Sequence, residues 1–344
     1  MAILSPPDSP FSPPSSLYTF IYHPLTSFVT FIHYLALYLR GAPYIAPKNK
    51  IPIRVVCLSD SHSKVPRYAI PGGDLLIHAG DLTNTGSLAS IQQTIDWLKT
   101  LQKPWHGSAD GFRHIVVIAG NHDSYFDERS RSAHDTRYSK RQLDWGRIHY
   151  LQHSSITLPF PDGRSLKVYG APQIPKVGGK EHAFQYPRGQ DAWTDTVPDD
   201  VDVLITHNPP KWHLDLAANG GLGDEFELAE AWRVKPTLHV FGHVHSGHGK
   251  EAVWWDEGQK TYEDFLASAY QKPAGTVASH RLPLTELFDI PLWVLAVKSM
   301  VADMRGILWT RLWGGARHGG YMVNGALTYQ TTEKLLNKPQ VVML

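Results

Sequence analysis

The sequence predicts an α/β fold, and three observations carry the prediction. Short apolar runs with β-branched residues recur, as at residues 54–59 (RVVCLS), 114–119 (HIVVIA) and 201–206 (VDVLIT). Segments with helical spacing separate several of them, the strand-then-helix alternation of α/β proteins. Several of the runs stop abruptly at polar residues. In α/β sheets, ligands bind beyond the carboxyl ends of the strands.

Taken in order, residues 1–16 are rich in Pro and Ser, lack a hydrophobic pattern and read as a disordered tail. No Asp, Glu, Lys or Arg lies between Asp8 and Arg40, and residues 25–39 (LTSFVTFIHYLALYL) are strongly apolar. That run is shorter than the roughly 20 residues of a spanning helix. Extending it back to Leu17 reaches the length but takes in His23 and Pro24. The start has no basic residue and no clear small-residue cleavage site, so a cleaved signal peptide is not expected. Two placements stay open: a helix packed on the domain surface, or one in or on a membrane. Residues 41–50, with two prolines and two lysines, read as a linker. The expected organisation is therefore a tail over 1–50 and one domain over 51–344.

Within the domain, strands are expected at 54–59 and 74–79. A helix follows at 87–101, with Leu88, Ile91, Ile95 and Leu98 at helical spacing and Ser87 as N-cap. A strand at 114–119 precedes a charged stretch, 124–147, that is helical in part. Residues 148–170 read as short strands broken by the Pro161-Asp162-Gly163 turn, and 178–200 as loop. A strand at 201–206, a helix at 223–234 and strands at 237–241 and 252–255 complete the pattern. An insertion occupies about 256–320. Its apolar, tryptophan-rich part, 282–313, carries Lys298, Arg305 and Arg311. It reads either as an extra helical pair on the core or as an interfacial helix with Trp293, Trp309 and Trp313 at headgroup depth.

Composition narrows the class. A hydrophobic content of 42% is ample for a core, and a net charge of +1 gives no case for nucleic acid as an obligate partner. The single cysteine, Cys57, rules out an internal disulfide framework and suits a reducing compartment. Its mid-strand position makes it a small core residue rather than a nucleophile.

The chemistry sits where the strands end: Asp60-Ser61-His62, Gly80-Asp81, Gly120-Asn121-His122-Asp123, Thr206-His207 and Gly242-His243-Val244-His245. Carboxylate, amide and imidazole donors together suit Mn²⁺, Fe²⁺, Zn²⁺ or Ni²⁺ better than Mg²⁺ or Ca²⁺. Seven candidate ligands exceed the needs of one ion. Two ions sharing a carboxylate, about 3.5–4 Å apart, would fit.

These motifs, in this order, resemble the calcineurin-like metallophosphoesterase superfamily over about residues 54–250. Tyr169-Gly170-Ala171-Pro172, Phe184-Gln185-Tyr186-Pro187-Arg188-Gly189-Gln190 and His207-Asn208-Pro209-Pro210 look like its metallophosphoesterase-domain-containing (MPPED-type) subfamily. The resemblance implies a four-layer α/β/β/α sandwich. It implies that Asp60, His62 and His245 hold one metal, that Asn121, His207 and His243 hold another, and that Asp81 bridges them. It further implies a hydroxide activated by both metals as nucleophile, with His122 as general acid. Asp123 follows His122 and acts either in support of the site or in a salt bridge. Protein phosphatases of the superfamily carry two arginines that clamp a phosphomonoester dianion. Thr85 and Ala119 stand in their places here. A small phosphodiester substrate is therefore expected, cyclic nucleotides among the choices. The alternative is a membrane-associated regulatory or binding protein on the same fold with low turnover; intact His122 and His243 favour the enzyme. Arg40, Lys48, Lys50 and Arg54 follow the first apolar tract and no Lys or Arg precedes it, which places the catalytic domain in the cytoplasm if that tract inserts.

Overall fold

The structure is a computed structural model describing residue 7 and residues 9–102, 111–137, 142–179, 182–270 and 283–344. Its strands are, in chain order, β1 (Arg54–Leu58), β2 (Leu75–Ala79), β3 (His114–Ile118), β4 (His149–Tyr150), β5 (Ser154–Pro159), β6 (Ser165–Ala171), β7 (Ile174–Pro175), β8 (Gln185–Tyr186), β9 (Val203–Thr206), β10 (Leu238–Phe241), β11 (Gly249–Trp254), β12 (Gly319–Asn324) and β13 (Gln340–Met343). Its helices are α1 (Ser16–Tyr22), α2 (Pro24–Arg40), α3 (Leu88–Thr100), α4 (Ala133–Arg137), α5 (Glu225–Val234), α6 (Glu257–Tyr270) and α7 (Ile290–Arg311).

Alternation along β1 builds the layers. Val55 and Cys57 point one way, into a core shared with Val168, Val203, Ile205 and Val240 of a second sheet. Val56 and Leu58 point the other way, onto Ile91, Ile95 and Leu98 of α3. The first sheet runs β13-β1-β2-β3-β4, parallel except for β13. The second runs β11-β12-β10-β9-β6-β5, parallel at its centre and antiparallel at both edges. On the outer face of the second sheet, Leu204 and Tyr169 pack with Val234 of α5, while Phe241 packs with Ala231. Helix, sheet, sheet, helix is the expected four-layer sandwich. Ser87 caps α3 by accepting from Ser90 N, and Asp224 caps α5 by accepting from Phe226 N and Glu227 N. Cys57 is buried in the core, and burial pushes its thiol up, away from the reactive thiolate.

The N-terminal tract and the insertion meet. Leu25 and Val29 of α2 share a core with Tyr262, Phe265 and Leu266 of α6 and with Leu292 and Ala296 of α7. The boundary expected near residue 50 thus divides segments that pack together. The tract is also not one rod: α1 and α2 meet at 115° around His23 and Pro24, and among the described residues no single helix is long and apolar enough to cross a membrane. The disordered tail expected over 1–16 needs correction where it is described. Residues 9–12 form a turn, with Asn219 Nδ2 donating to the carbonyls of Pro10 and Ser12 and Ser246 Oγ to that of Phe11. Ser15 caps α1, which begins at Ser16. Residues 1–6 and 8 of that expected tail lie outside the described residues, as do 138–141 of the charged stretch, 180–181 of the expected loop and 271–282 of the expected insertion.

Candidate metal centre

β1, β2, β3, β9 and β10 all deliver their carboxyl ends to one place, and the turns that follow them are unusual. Asp60, His62, Asp81 and His243 have φ of 54°, 48°, 51° and 62°, left-handed values that cost non-glycine residues on the order of 1–3 kcal/mol each. Two glycines are required by close approach. A Cβ on Gly242 would lie 2.1 Å from Asp60 Oδ2, and one on Gly120 would lie 2.3 Å from Asp81 N and Oδ1.

The turns bring the predicted donors together. Asp60, His62 and His245 offer ligand atoms within 4.8 Å of one another, and so do Asp81, His207 and His243. His245 Nε2 lies 3.2 Å from Asp60 Oδ1, and His62 Nε2 lies 3.3 Å from His245 Nε2. Asn121 Oδ1 is 3.1 Å from His207 Nε2, and Asp81 Oδ1 is 3.4 Å from it. Asp81 Oδ2 lies 3.8 Å from His62 Nε2, so this carboxylate faces both groups. Backbone carbonyls fix two of the rings. His207 Nδ1 donates to Ala79 O at 2.8 Å and His245 Nδ1 to Gln330 O at 3.0 Å, leaving each Nε2 turned to the site.

These residues fit divalent cations. Asp60 and Asp81 are buried, and the ion-pair partners they have among the described residues are histidines. Burial works against their charge, yet the neighbouring imidazoles hold both carboxyls well below the usual range. Burial likewise works against charge on His207, but the Asp81 and Asp60 carboxylates outweigh it and lift the ring to about 9. Burial pushes His243 down to about 3 and lowers His62, which leaves those nitrogens as neutral donors. Two buried carboxylates with the neutral nitrogens of His62 and His243 beside them fit a cation of borderline hardness.

His122 stands at the rim. Its N–H donates to Asp81 Oδ1 at 2.8 Å, and its Nδ1 lies 3.3 Å from Asn84 O, which leaves Nε2 for the cavity. Asp123, expected either in support of the site or in a salt bridge, does not line the cavity and forms no salt bridge among the described residues. It is fully buried and accepts from Leu82 N, Thr83 N, Thr83 Oγ1 and Gly120 N. It therefore ties the turn carrying Asp81 to the turn carrying Asn121 and His122, as a positioning residue.

The cavity is about 280 Å³, and its walls include Asn121, His122, His243, His245, Phe11 and His182. Sequence reasoning missed the last two. His182 accepts from Asn121 Nδ2 at 3.1 Å and packs edge-on to His122, with ring centroids 4.9 Å apart. It lies between the two-residue strands β7 and β8, too short to carry a hydrophobic pattern, so no pattern marked it. Phe11 reaches the mouth from the N-terminal turn, where composition alone pointed to disorder.

The sequence profile of the family described as calcineurin-like phosphoesterase matches residues 53–247. Over 240 residues the chain is 40% identical to a probable rhamnogalacturonate lyase C of Emericella nidulans, covering 68% of this chain and 21% of that protein. The chain thus spans about a fifth of that relative's length. It is 33% identical over 242 residues to the human metallophosphoesterase domain-containing protein 1, covering 64% of this chain and 68% of that protein. It is 34% identical over 264 residues to the UPF0046 protein C25E10.12 of Caenorhabditis elegans, covering 71% and 83%. With donors from five strand ends gathered at one point and a family match over more than half its length, the chain belongs to the calcineurin-like phosphoesterase family.

Proposed function

We propose that this protein is a metal-dependent phosphodiesterase acting on small phosphodiesters, cyclic nucleotides among them. The observation that carries the reading is the cavity wall. Imidazole, amide and hydroxyl groups line it, and Thr85 and Ala119 stand where family members that clamp a monoester dianion have arginines. A diester monoanion needs no such clamp.

In this reading Asp60, His62 and His245 hold one divalent ion, Asn121, His207 and His243 hold a second, and Asp81 serves both. The ions are drawn from Mn²⁺, Fe²⁺, Zn²⁺ and Ni²⁺. When bound, they lower the pKa of water and neutralise charge on phosphoryl oxygens. The chain's own residues do the rest. His122 Nε2 gives a proton to the leaving oxygen, and its backbone bond to Asp81 fixes where that proton is delivered. The Asn121 amide is held by His182, which fixes the oxygen that would ligate the second ion. Asp123 keeps the two turns in register. The reaction belongs in the cytoplasm, a place supported by the single buried cysteine, with a membrane surface as a further partner.

The test is purified protein loaded with Mn²⁺ and assayed on diesters and monoesters of the same leaving group. A higher kcat/KM for diesters is expected. Efficient release of phosphate from a phosphoserine peptide would contradict the reading. No turnover of either class would favour the regulatory alternative.

A further inference from the structure

Helices α2 and α7 bury polar groups beside their apolar core residues and leave large apolar residues exposed. They lie side by side and run parallel, since Thr26 meets Glu286 just before α7, His33 meets Asp303, and Arg40 meets Gly306. Their inner faces are rich in polar groups. Thr26, His33 and Arg40 of α2 and Ser299, Asp303 and Thr310 of α7 are all buried. His33 Nδ1 lies 3.1 Å from both Asp303 oxygens, Arg40 pairs with Asp256, and Glu286 accepts from Thr26 N and Oγ1.

Their outer faces are apolar. Phe28, Phe31, Leu35, Tyr38 and Leu39 of α2 are exposed, Tyr38 at 80%. On α7 a stripe of exposed residues comprises Ile290, Val294, Val297, Val301, Met304 and Leu308. At 3.6 residues per turn these six fall within an arc of roughly 80°. Two adjacent helices thus each present an exposed apolar stripe, larger in kind than the scattered apolar residues normal on a protein surface.

Charge and aromatic placement say what covers it. The one acid on the two helices, Asp303, is buried. Lys298 and Arg305 are exposed seven residues apart along one edge of the α7 stripe, and Arg311 is exposed at its end. Trp293 and Trp309 flank the stripe near its two ends, and Trp313 follows the helix. Apolar stripe, cationic edge and terminal indoles match the boundary between acyl chains and anionic headgroups. The helices cannot leave the domain to span a bilayer. Leu292, Ala296, Ser299, Asp303 and Thr310 bury α7 along its whole length, and α1 and α2 are bent at 115°.

We propose that α2 and α7 form a lipid-binding platform that holds the protein flat on an anionic membrane surface. The outer apolar residues sit at the acyl boundary, and Lys298, Arg305 and Arg311 meet lipid phosphates. The platform is separate from the metal centre and holds whether or not the proposed reaction does.

The experiment is sedimentation of the full chain with vesicles of phosphatidylcholine alone and of phosphatidylcholine mixed with phosphatidylserine. Quenching of tryptophan emission by brominated lipid reports depth. Binding to the mixed vesicles with quenching is expected. Val297→Asp with Val301→Asp should abolish binding to both vesicle types. Lys298→Gln with Arg305→Gln should weaken binding to the anionic vesicles by roughly thirty-fold, at about 1 kcal/mol per cation, and leave neutral vesicles unaffected. Both variants should melt as the parent does, since the changed side chains touch water. Full-length protein that stays in the supernatant with both vesicle types overturns the proposal. So does a stable dimer that Val297→Asp with Val301→Asp converts to monomer without vesicle binding in the parent, because a second copy then covers the face.

Discussion

His33 reports which way α2 faces, and its replacement by alanine tests the orientation directly. The ring is 2% exposed, lies 3.1 Å from both oxygens of Asp303, and stacks on Tyr262 with centroids 3.8 Å apart and planes at 10°. Removing it leaves Asp303, itself 2% exposed, without that partner. An uncompensated buried charge costs about 3–5 kcal/mol. Burial already raises the Asp303 carboxyl, so the group can instead take a proton. The cost then falls to the worth of a hydrogen bond to a charged group, about 1.5–3 kcal/mol. Either way His33→Ala should lower the melting temperature by about 2–7 °C. Phe31→Ser, on the opposite face and 64% exposed, should stay within about 0.5 kcal/mol of the parent. Thermal unfolding followed by circular dichroism reads both. If His33→Ala melts with the parent while Phe31→Ser is destabilised, α2 is turned the other way. The reasoning about its inner and outer faces then fails.

Three further outcomes are expected. His122→Ala should keep its metal content yet lose roughly 10²–10⁴-fold in rate on diesters with poor leaving groups and much less on an activated aryl ester; equal losses on both would remove the general-acid role. Asp123→Asn turns an amide NH₂ toward Thr83 N or toward the Leu82 and Gly120 N–H groups. It should cost about 1–3 kcal/mol in stability and about 10–100-fold in metal affinity by titration, and unchanged affinity would show that the two turns hold themselves. His213 is buried between Glu251 at 2.5 Å and Glu263 at 3.1 Å; burial opposes its charge, but the two carboxylates outweigh it and push the ring up to about 10. A folded-state value above the unfolded 6.5 means that this stabilisation is complete below pH 6.5 and is lost as pH rises through about 10. Melting temperatures taken across that window should fall more steeply for the parent than for His213→Gln, by up to roughly 1.4 kcal/mol per pH unit, and parallel curves would refute the assignment.

The metal centre was legible in the sequence because its residues work against the elements that carry them. Asp60, Asp81, Asn121, His207 and His243 contribute nothing to a strand's packing, so their place after apolar runs called for another explanation. The layers were legible for a related reason, since buried parallel strands are written as continuous apolar runs. His182 and Phe11 were not legible, because loops carry no period from which a neighbour can be inferred. Their contact with the site depends on tertiary closure alone. Asp123 was visible as a residue but not as a role, since sequence cannot tell a carboxylate facing the cavity from one facing the backbone behind it.

The two apolar tracts show a different limit. Hydropathy sums a helix over all its faces, so residues 25–39 and 282–313 were marked as apolar without any indication of which side turns inward. His33 and Asp303 looked like minor interruptions of apolar runs. In the fold they are the inner contact, together with Arg40 on Asp256 and over the Trp254 ring at 3.9 Å. Gly306 leaves room for that arginine, because a Cβ there would lie 2.7 Å from Arg40 Nη1. Polar pairs of this kind specify how two helices mate, while large apolar residues on the far sides stay exposed among the described residues. His33, Arg40 and Asp303 between the two helices, with large apolar residues exposed on their far sides, are what the proposed lipid platform requires.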